Sequence, residues 1–310
     1  MNWLRRLRTR VCARKEAGLD RIRLAIGKQE SRLVRAETFS SLREAEFQVF
    51  SQWGEDGIIQ YLLGKIPVQE EIFVEFGVGD YSESNTRFLL CNDNWRGLII
   101  DSGDAHRNYL AASGLDWRYD LQAVSAFIDA ANIDALIRNA GIAGDIGLLS
   151  IDLDGNDYWV LQAIEAIRPR ILIVEYNSIF GPELSLAIPY RADFQRANAH
   201  FSSLYYGASI SALIALAAKK GFACVGGNSA GNNVFFVRSD ILGNLRVVPP
   251  GEAWAESRFR ESRDPGGRLT FLGRHVDRLA QIASLPVLDL ASGRERPIRE
   301  LLDSNGRPRG

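Results

Sequence analysis

A chain of 310 residues with 46% apolar and 24% charged residues and a net charge of −1 has the makeup of an ordinary folded protein that can bury a core without staples. That makeup excludes wholesale disorder and collagen-like or coiled-coil classes; no apolar run reaches the roughly 18 to 20 residues of a membrane span, and the N-terminus lacks the apolar stretch of a signal peptide. Cys12, Cys91 and Cys224 show no CxxC pair and His106, His200 and His275 are scattered, which sets aside a disulfide framework, a cysteine zinc site and HExxH-type metal chemistry and leads to an intracellular, cytoplasmic expectation.

The charge is unevenly spread. Residues 1–35 hold eleven Lys or Arg against three acids, so the rest of the chain is acidic. Leu4, Leu7 and Val11, then Leu19, Ile22, Ile26 and Leu33, recur at three- and four-residue spacings, which predicts an amphipathic helix interrupted near Gly18. Three readings fit this head: peripheral contact with an anionic (inner) membrane surface with Trp3 at the interface, an arm toward nucleic acid, or a solvated or self-associating helix. No aromatic interleaving supports base stacking, so nucleic acid is the weakest of the three.

From residue 72 onward, short apolar runs end in acidic or glycine-rich turns. Ile72–Phe76, Leu98–Ile100, Ile146–Ile151 and Ile171–Val174 read as strands buried on both faces, as in a parallel sheet. Helical spacing is read in Glu83–Cys91, Ala105–Ser113, Ala123–Ala140, Asn156–Ile167 and Ser209–Lys220. The alternation predicts an α/β, doubly wound, Rossmann-like sheet with its ligand at the carboxyl ends of the strands. Phe222–Val225 and Asn233–Val237 are separated by so short a link that they must pair antiparallel. After about Ser239 the chain turns rich in Arg, Pro and Gly, which predicts an irregular extension with one strand near Leu285–Leu290. The expected domains are a basic head (1–46), a catalytic domain (47–240) and an extension packed on it (241–310).

Chemistry concentrates at the strand ends. Glu75-Phe-Gly77-Val-Gly79-Asp80 follows the first strand, where glycines permit a tight turn and close approach of a ligand. The third glycine of the dinucleotide fingerprint is replaced, because Tyr81 and Ser82 follow, and this counts against a pyrophosphate ligand. Asp101 ends the second strand, placed to accept hydrogen bonds from a ribose diol. Asp152, Asp154, Asn156 and Asp157 follow one strand and Glu175 and Asn177 the next. Such a cluster can bind a divalent cation, hold a cationic ligand or supply a general base, whereas Asp154, Asn156 and Asp157 can also simply cap the next helix. Asp154 and Asp157 are the base candidates, with His200 a distant third. Upstream, Ser51-Gln52-Trp53-Gly54-Glu55-Asp56 holds more polar groups than a helix N-terminus needs, and Tyr205-Tyr206-Gly207-Ala208-Ser209 stands before another helix.

FVEFGVGDYSESNT, LLSIDLDGNDYWVL, PRILIVEYNSIFGP and YYGAS resemble, over about residues 47–240, a bacterial branch of the class I S-adenosylmethionine-dependent methyltransferases near the FkbM-like group. The resemblance implies a seven-stranded sheet with an antiparallel last strand and transfer of a methyl group to oxygen on a small molecule or glycan. It places Glu75, Gly77 and Gly79 in the cofactor-binding turn, Asp101 on the ribose and Asp152 at the end of the fourth strand. Gln52, Glu55 and Asp56 fall in the SQxGED motif, expected to close over the methionine end of the cofactor. Metal-dependent O-methyltransferases carry ligands at the same two strand ends, which makes Asp152, Glu175 and Asn177 candidate ligands for magnesium. An IDVEG-type signature is usual in the FkbM-like group and this chain has IDLDG, so the acceptor stays open. The rival readings are a nicotinamide-dependent oxidoreductase and a non-catalytic, membrane-attached scaffold.

Overall fold

The computed structural model describes residues 2–303, with side chains from Gly18 onward. In chain order the helices and strands are α1 (Asn2–Ala36), α2 (Glu55–Leu63), β1 (Ile72–Phe76), β2 (Arg96–Asp101), α3 (Ala105–Ser113), β3 (Leu121–Ser125), α4 (Ile133–Asn139) and β4 (Gly144–Ile151). There follow α5 (Asp157–Ala163), β5 (Ile167–Glu175), β6 (Leu186–Ala187), α6 (Arg196–Ala199), α7 (Ile210–Lys219), β7 (Phe222–Gly227) and β8 (Asn233–Arg238). The tail adds α8 (Pro250–Ala253), α9 (His275–Ile282), β9 (Pro286–Asp289) and β10 (Arg294–Pro297).

Seven strands form one sheet in the order β3-β2-β1-β4-β5-β8-β7. Strands β1 to β5 run parallel; β8 lies antiparallel to β7, as the short link before Asn233 requires, and also to β5. Neighbouring residues of one strand feed opposite cores: Val74, Leu149 and Leu172 face one, Phe73, Leu148 and Ile171 the other. This explains the near-continuous apolar runs, since both faces of the sheet are covered. Strand order reverses between β1 and β4, and a doubly wound sheet opens its ligand crevice beyond the carboxyl ends of strands at that point.

Four expectations are corrected. The head helix runs unbroken through Gly18, because one exposed glycine costs only about 1 kcal/mol and the turns after Asp20 are anchored on the domain. Ala123–Ala140 is not one helix: residues 121–125 pair with β2 as an edge strand, and α4 starts only at Ile133. Glu83–Cys91 is helical only from Arg87, widening at Leu89, because the amides of Asn85 and Thr86 donate to the Glu75 carboxylate. The tail is more regular than its composition implied. Strands β9 and β10 extend a small antiparallel sheet with β6, and Ile282, Val287 and Ile298 bury against Ile179, Phe180 and Leu186.

Candidate cofactor crevice and acidic pocket

Gly77 and Gly79 shape the crevice in different ways. Both are left-handed, at φ +73° and +56°. A Cβ on Gly77 would fall 1.5 Å from the carbonyl oxygen of Asp152, so the turns after β1 and β4 touch backbone to backbone. Gly79 faces open space, and its N–H donates to Asp101 Oδ2 (2.9 Å), while Gly103 N–H donates to Asp101 Oδ1 (3.0 Å). Two cavities of about 250 and 260 Å³ meet at Gly77, Gly79 and Asp152. The first runs over Asp101 and Phe127 to Asp154; the second holds Gln52, Glu75, Asn85 and Asn233. Together they fall within the roughly 300 to 1,000 Å³ usual for small-ligand sites.

The SQxGED segment and Glu75 build the wall of the second cavity. Gln52 lines it and is exposed. Glu55 is buried, accepting from Trp53 N–H (2.9 Å), Asn228 Nδ2 (2.7 Å) and Asn233 Nδ2 (3.0 Å). Asp56 Oδ2 accepts the N–H groups of Val49, Phe50 and Ser51 at 2.7 to 2.8 Å. These two acids therefore brace the loop that carries Gln52 instead of lining the cavity. Glu75 lines the cavity but spends its oxygens on Ser84 Oγ (2.7 Å), Asn85 N–H (2.9 Å) and Thr86 N–H (3.2 Å), which folds the SESNT segment over the end of β1.

The acids after β4 and β5 separate into two groups. Asp152, Asp154 and Glu175 have carboxylate oxygens within 4.8 Å of one another. Glu175 is 7% exposed and its Oε2 receives no N–H or hydroxyl. Burial first, then the neighbouring acids, push the carboxyls of Asp152 and Glu175 well above the usual range. Asp154 is exposed, adopts φ +53° and is ion-paired to Arg196.

Asp157 and Asn177 lie outside that group, and both expectations for them are corrected. Asp157 is fully buried, its oxygens taken by Leu153 N–H (2.7 Å) and Gly155 N–H (3.0 Å), so it holds the loop and cannot reach an acceptor. Asn177 donates to the carbonyls of Leu204 and Tyr206 (both 3.0 Å) and accepts from Ile179 N–H (3.1 Å). All its polar atoms are spent on backbone, and the expected Asp152–Glu175–Asn177 set for magnesium is not assembled. His200 is held by Ser202 Oγ (2.7 Å), with its basicity lowered by burial.

Burial pushes the Asp157 carboxyl from 3.8 up to about 6, against the pull of the loop amides. A carboxyl with a raised folded pKa adds stability that is full below pH 3.8 and is lost as pH rises through about 6. In Asp157→Asn, unfolding titrations should therefore show a loss of about 2 kcal/mol near neutral pH, from an amide nitrogen facing a loop N–H. The gap to wild type should widen by a further 2 to 3 kcal/mol, on the order of the shift, as pH falls toward 4. A gap that is the same at both ends would contradict this.

Two residues of the site carry no sequence motif. Arg196 reaches Asp154, lies 4.0 Å over the ring of Tyr206 and donates to Ser203 O (2.8 Å), yet it comes from the four-residue helix α6. Phe127, 41% exposed in the first cavity, follows the edge strand that resembled a helix. Only their placement by the sheet reveals them.

No protein-family model and no curated protein matches the chain. The strand order, with β8 antiparallel, is that of a doubly wound, Rossmann-like sheet. Among solved structures the chain is similar to an S-adenosylmethionine-dependent methyltransferase from Clostridium acetobutylicum (14% identity, TM-score 0.25, covering 36% of this chain and 45% of that one). It is also similar to an O-methyltransferase from Bacillus cereus in complex with SAH (17% identity, TM-score 0.33, covering 54% and 72%). A third is the mitomycin 7-O-methyltransferase (17% identity, TM-score 0.34, covering 69% and 54%). The matched region thus spans about half the length of two of these three proteins. Likeness at this level carries nothing about substrate.

Proposed function

We propose that the protein is an S-adenosylmethionine-dependent methyltransferase of the FkbM-like kind, acting on a hydroxyl of a sugar, glycan or other small molecule. The observation that carries this reading is the crevice at the strand-order reversal, where Gly77, Gly79 and Asp101 meet. Open space before Gly79 lets a ligand lie against the main chain, and the part-exposed Asp101 carboxylate is set to accept from a ribose diol. The cofactor supplies a methyl group on a sulfonium. The chain's own residues then align the two partners and remove the acceptor's proton.

An alcohol needs such a base. The Asp152–Glu175 pair, with Asp152 set at the junction of the two cavities, fits that task better than Asp154, whose charge is already matched by Arg196. The Arg196 guanidinium already neutralises Asp154 of the acidic cluster, so the base works without magnesium. The test is transfer of labelled methyl from S-adenosylmethionine into fractionated small hydroxylated metabolites and glycans. Labelled, oxygen-linked methyl is expected, and a chelator should leave its rate unchanged. Label found only on nitrogen or carbon would overturn the choice of acceptor, and a rate restored only by added magnesium would overturn the metal-free reading.

A further inference from the structure

We propose that the outward face of α1 is a docking surface for an anionic lipid bilayer, an inference independent of the reaction assigned to the crevice. One face of this helix is fixed to the domain. Ser31 Oγ donates to Gln60 Oε1 (2.5 Å), Arg35 pairs with Asp93 (2.6 Å), and Asp20 pairs with the buried Arg87 (2.8 Å). At Gly27 the helix lies so close that a Cβ would come 2.5 Å from Val49 Cγ2. The helix is therefore held in one rotation about its axis.

That rotation leaves Leu19, Ile22, Ile26 and Leu33 outward, each between 54% and 59% exposed. Their spacing of three, four and seven residues makes one apolar stripe. At about 100° per residue, the exposed Arg21, Lys28 and Arg32 follow one side of the stripe and Arg23 the other. Of the acids beside these residues, Asp20 is spent on Arg87 and, at 3.8 Å, on Arg23, and Glu30 lies on the Arg23 side, which leaves the side of Arg21, Lys28 and Arg32 purely basic. The sequence before Gly18 adds further basic residues, giving eleven over residues 1–35.

Charge complementarity decides what covers the stripe. A second copy would set one row of cations against another, and a nucleic acid would leave the four apolar side chains in water. An anionic bilayer takes both, with the apolar side chains entering the acyl boundary and the flanking cations meeting headgroups. Among the described residues no helix is long and apolar enough to cross a membrane, so α1 would lie in the surface plane.

The test is co-sedimentation of the full-length protein with phosphatidylcholine vesicles, with and without about 30% phosphatidylserine. Pelleting is expected only with phosphatidylserine, falling at least about tenfold as salt is raised toward roughly 0.5 M. Ile22→Asp/Ile26→Asp and, separately, Arg21→Gln/Lys28→Gln/Arg32→Gln should each lower partitioning by about tenfold or more at an unchanged melting temperature, because all five sites are exposed. Failure of folded wild-type protein to pellet would overturn the proposal, as would pelleting indifferent to both variants. A dimer seen by light scattering and dissolved by the Asp pair, without vesicle binding, would overturn it in favour of a second copy.

Discussion

Gly77→Ala is expected to cost about 4 kcal/mol or more of folding stability and to leave no measurable affinity for S-adenosylmethionine. Two effects add. Alanine in the left-handed region costs about 1 to 2 kcal/mol by itself. The steric clash costs more, since the new Cβ would sit 1.5 Å from the Asp152 carbonyl and the turns after β1 and β4 would have to part. Parting them moves the Gly79 N–H and Asp152 together, which is the floor shared by both cavities. Gly141 has the same φ of +73° with nothing near its missing Cβ, so Gly141→Ala isolates the cost of the backbone conformation. Urea unfolding of the two variants should differ by about 2 to 3 kcal/mol or more; equal losses would show that the close approach is not a constraint.

Asp101→Ala should act on binding and spare the fold. A lost hydrogen bond to a charged group is worth about 1.5 to 3 kcal/mol, or about 10- to 150-fold in the dissociation constant for S-adenosylhomocysteine. The amides of Gly79 and Gly103 that now donate to this carboxylate lie at exposed positions, so water can replace it and stability should fall by no more than about 1 kcal/mol. Equilibrium dialysis with labelled ligand, beside a thermal melt, separates the two. A melting temperature that collapses while affinity holds would make Asp101 a structural brace and nothing more.

What the sequence disclosed, and what it hid, follows from where each residue's energy comes from. Strands β1, β4 and β5 announce themselves because burial on both faces demands unbroken apolar runs, and the antiparallel β8 follows from a link too short to cross the sheet. Strand β3 was hidden because an edge strand with half-buried, alanine-containing sequence draws its stability from pairing with β2, which no local pattern records. The acids were legible as a set but not as individuals. Asp56 and Asp157 read as site residues, yet loop amides claim Oδ2 of Asp56 and both oxygens of Asp157. Asn177 went the same way, and Arg196 entered the cluster from a segment with no periodicity at all.

The most direct test of the central claim is isothermal titration of the folded, full-length protein with S-adenosylmethionine, S-adenosylhomocysteine and NAD in turn. One saturable site for each of the first two ligands, and no heat with NAD, is the predicted result. Absence of binding by both S-adenosyl compounds, or a site that takes NAD instead, would contradict it.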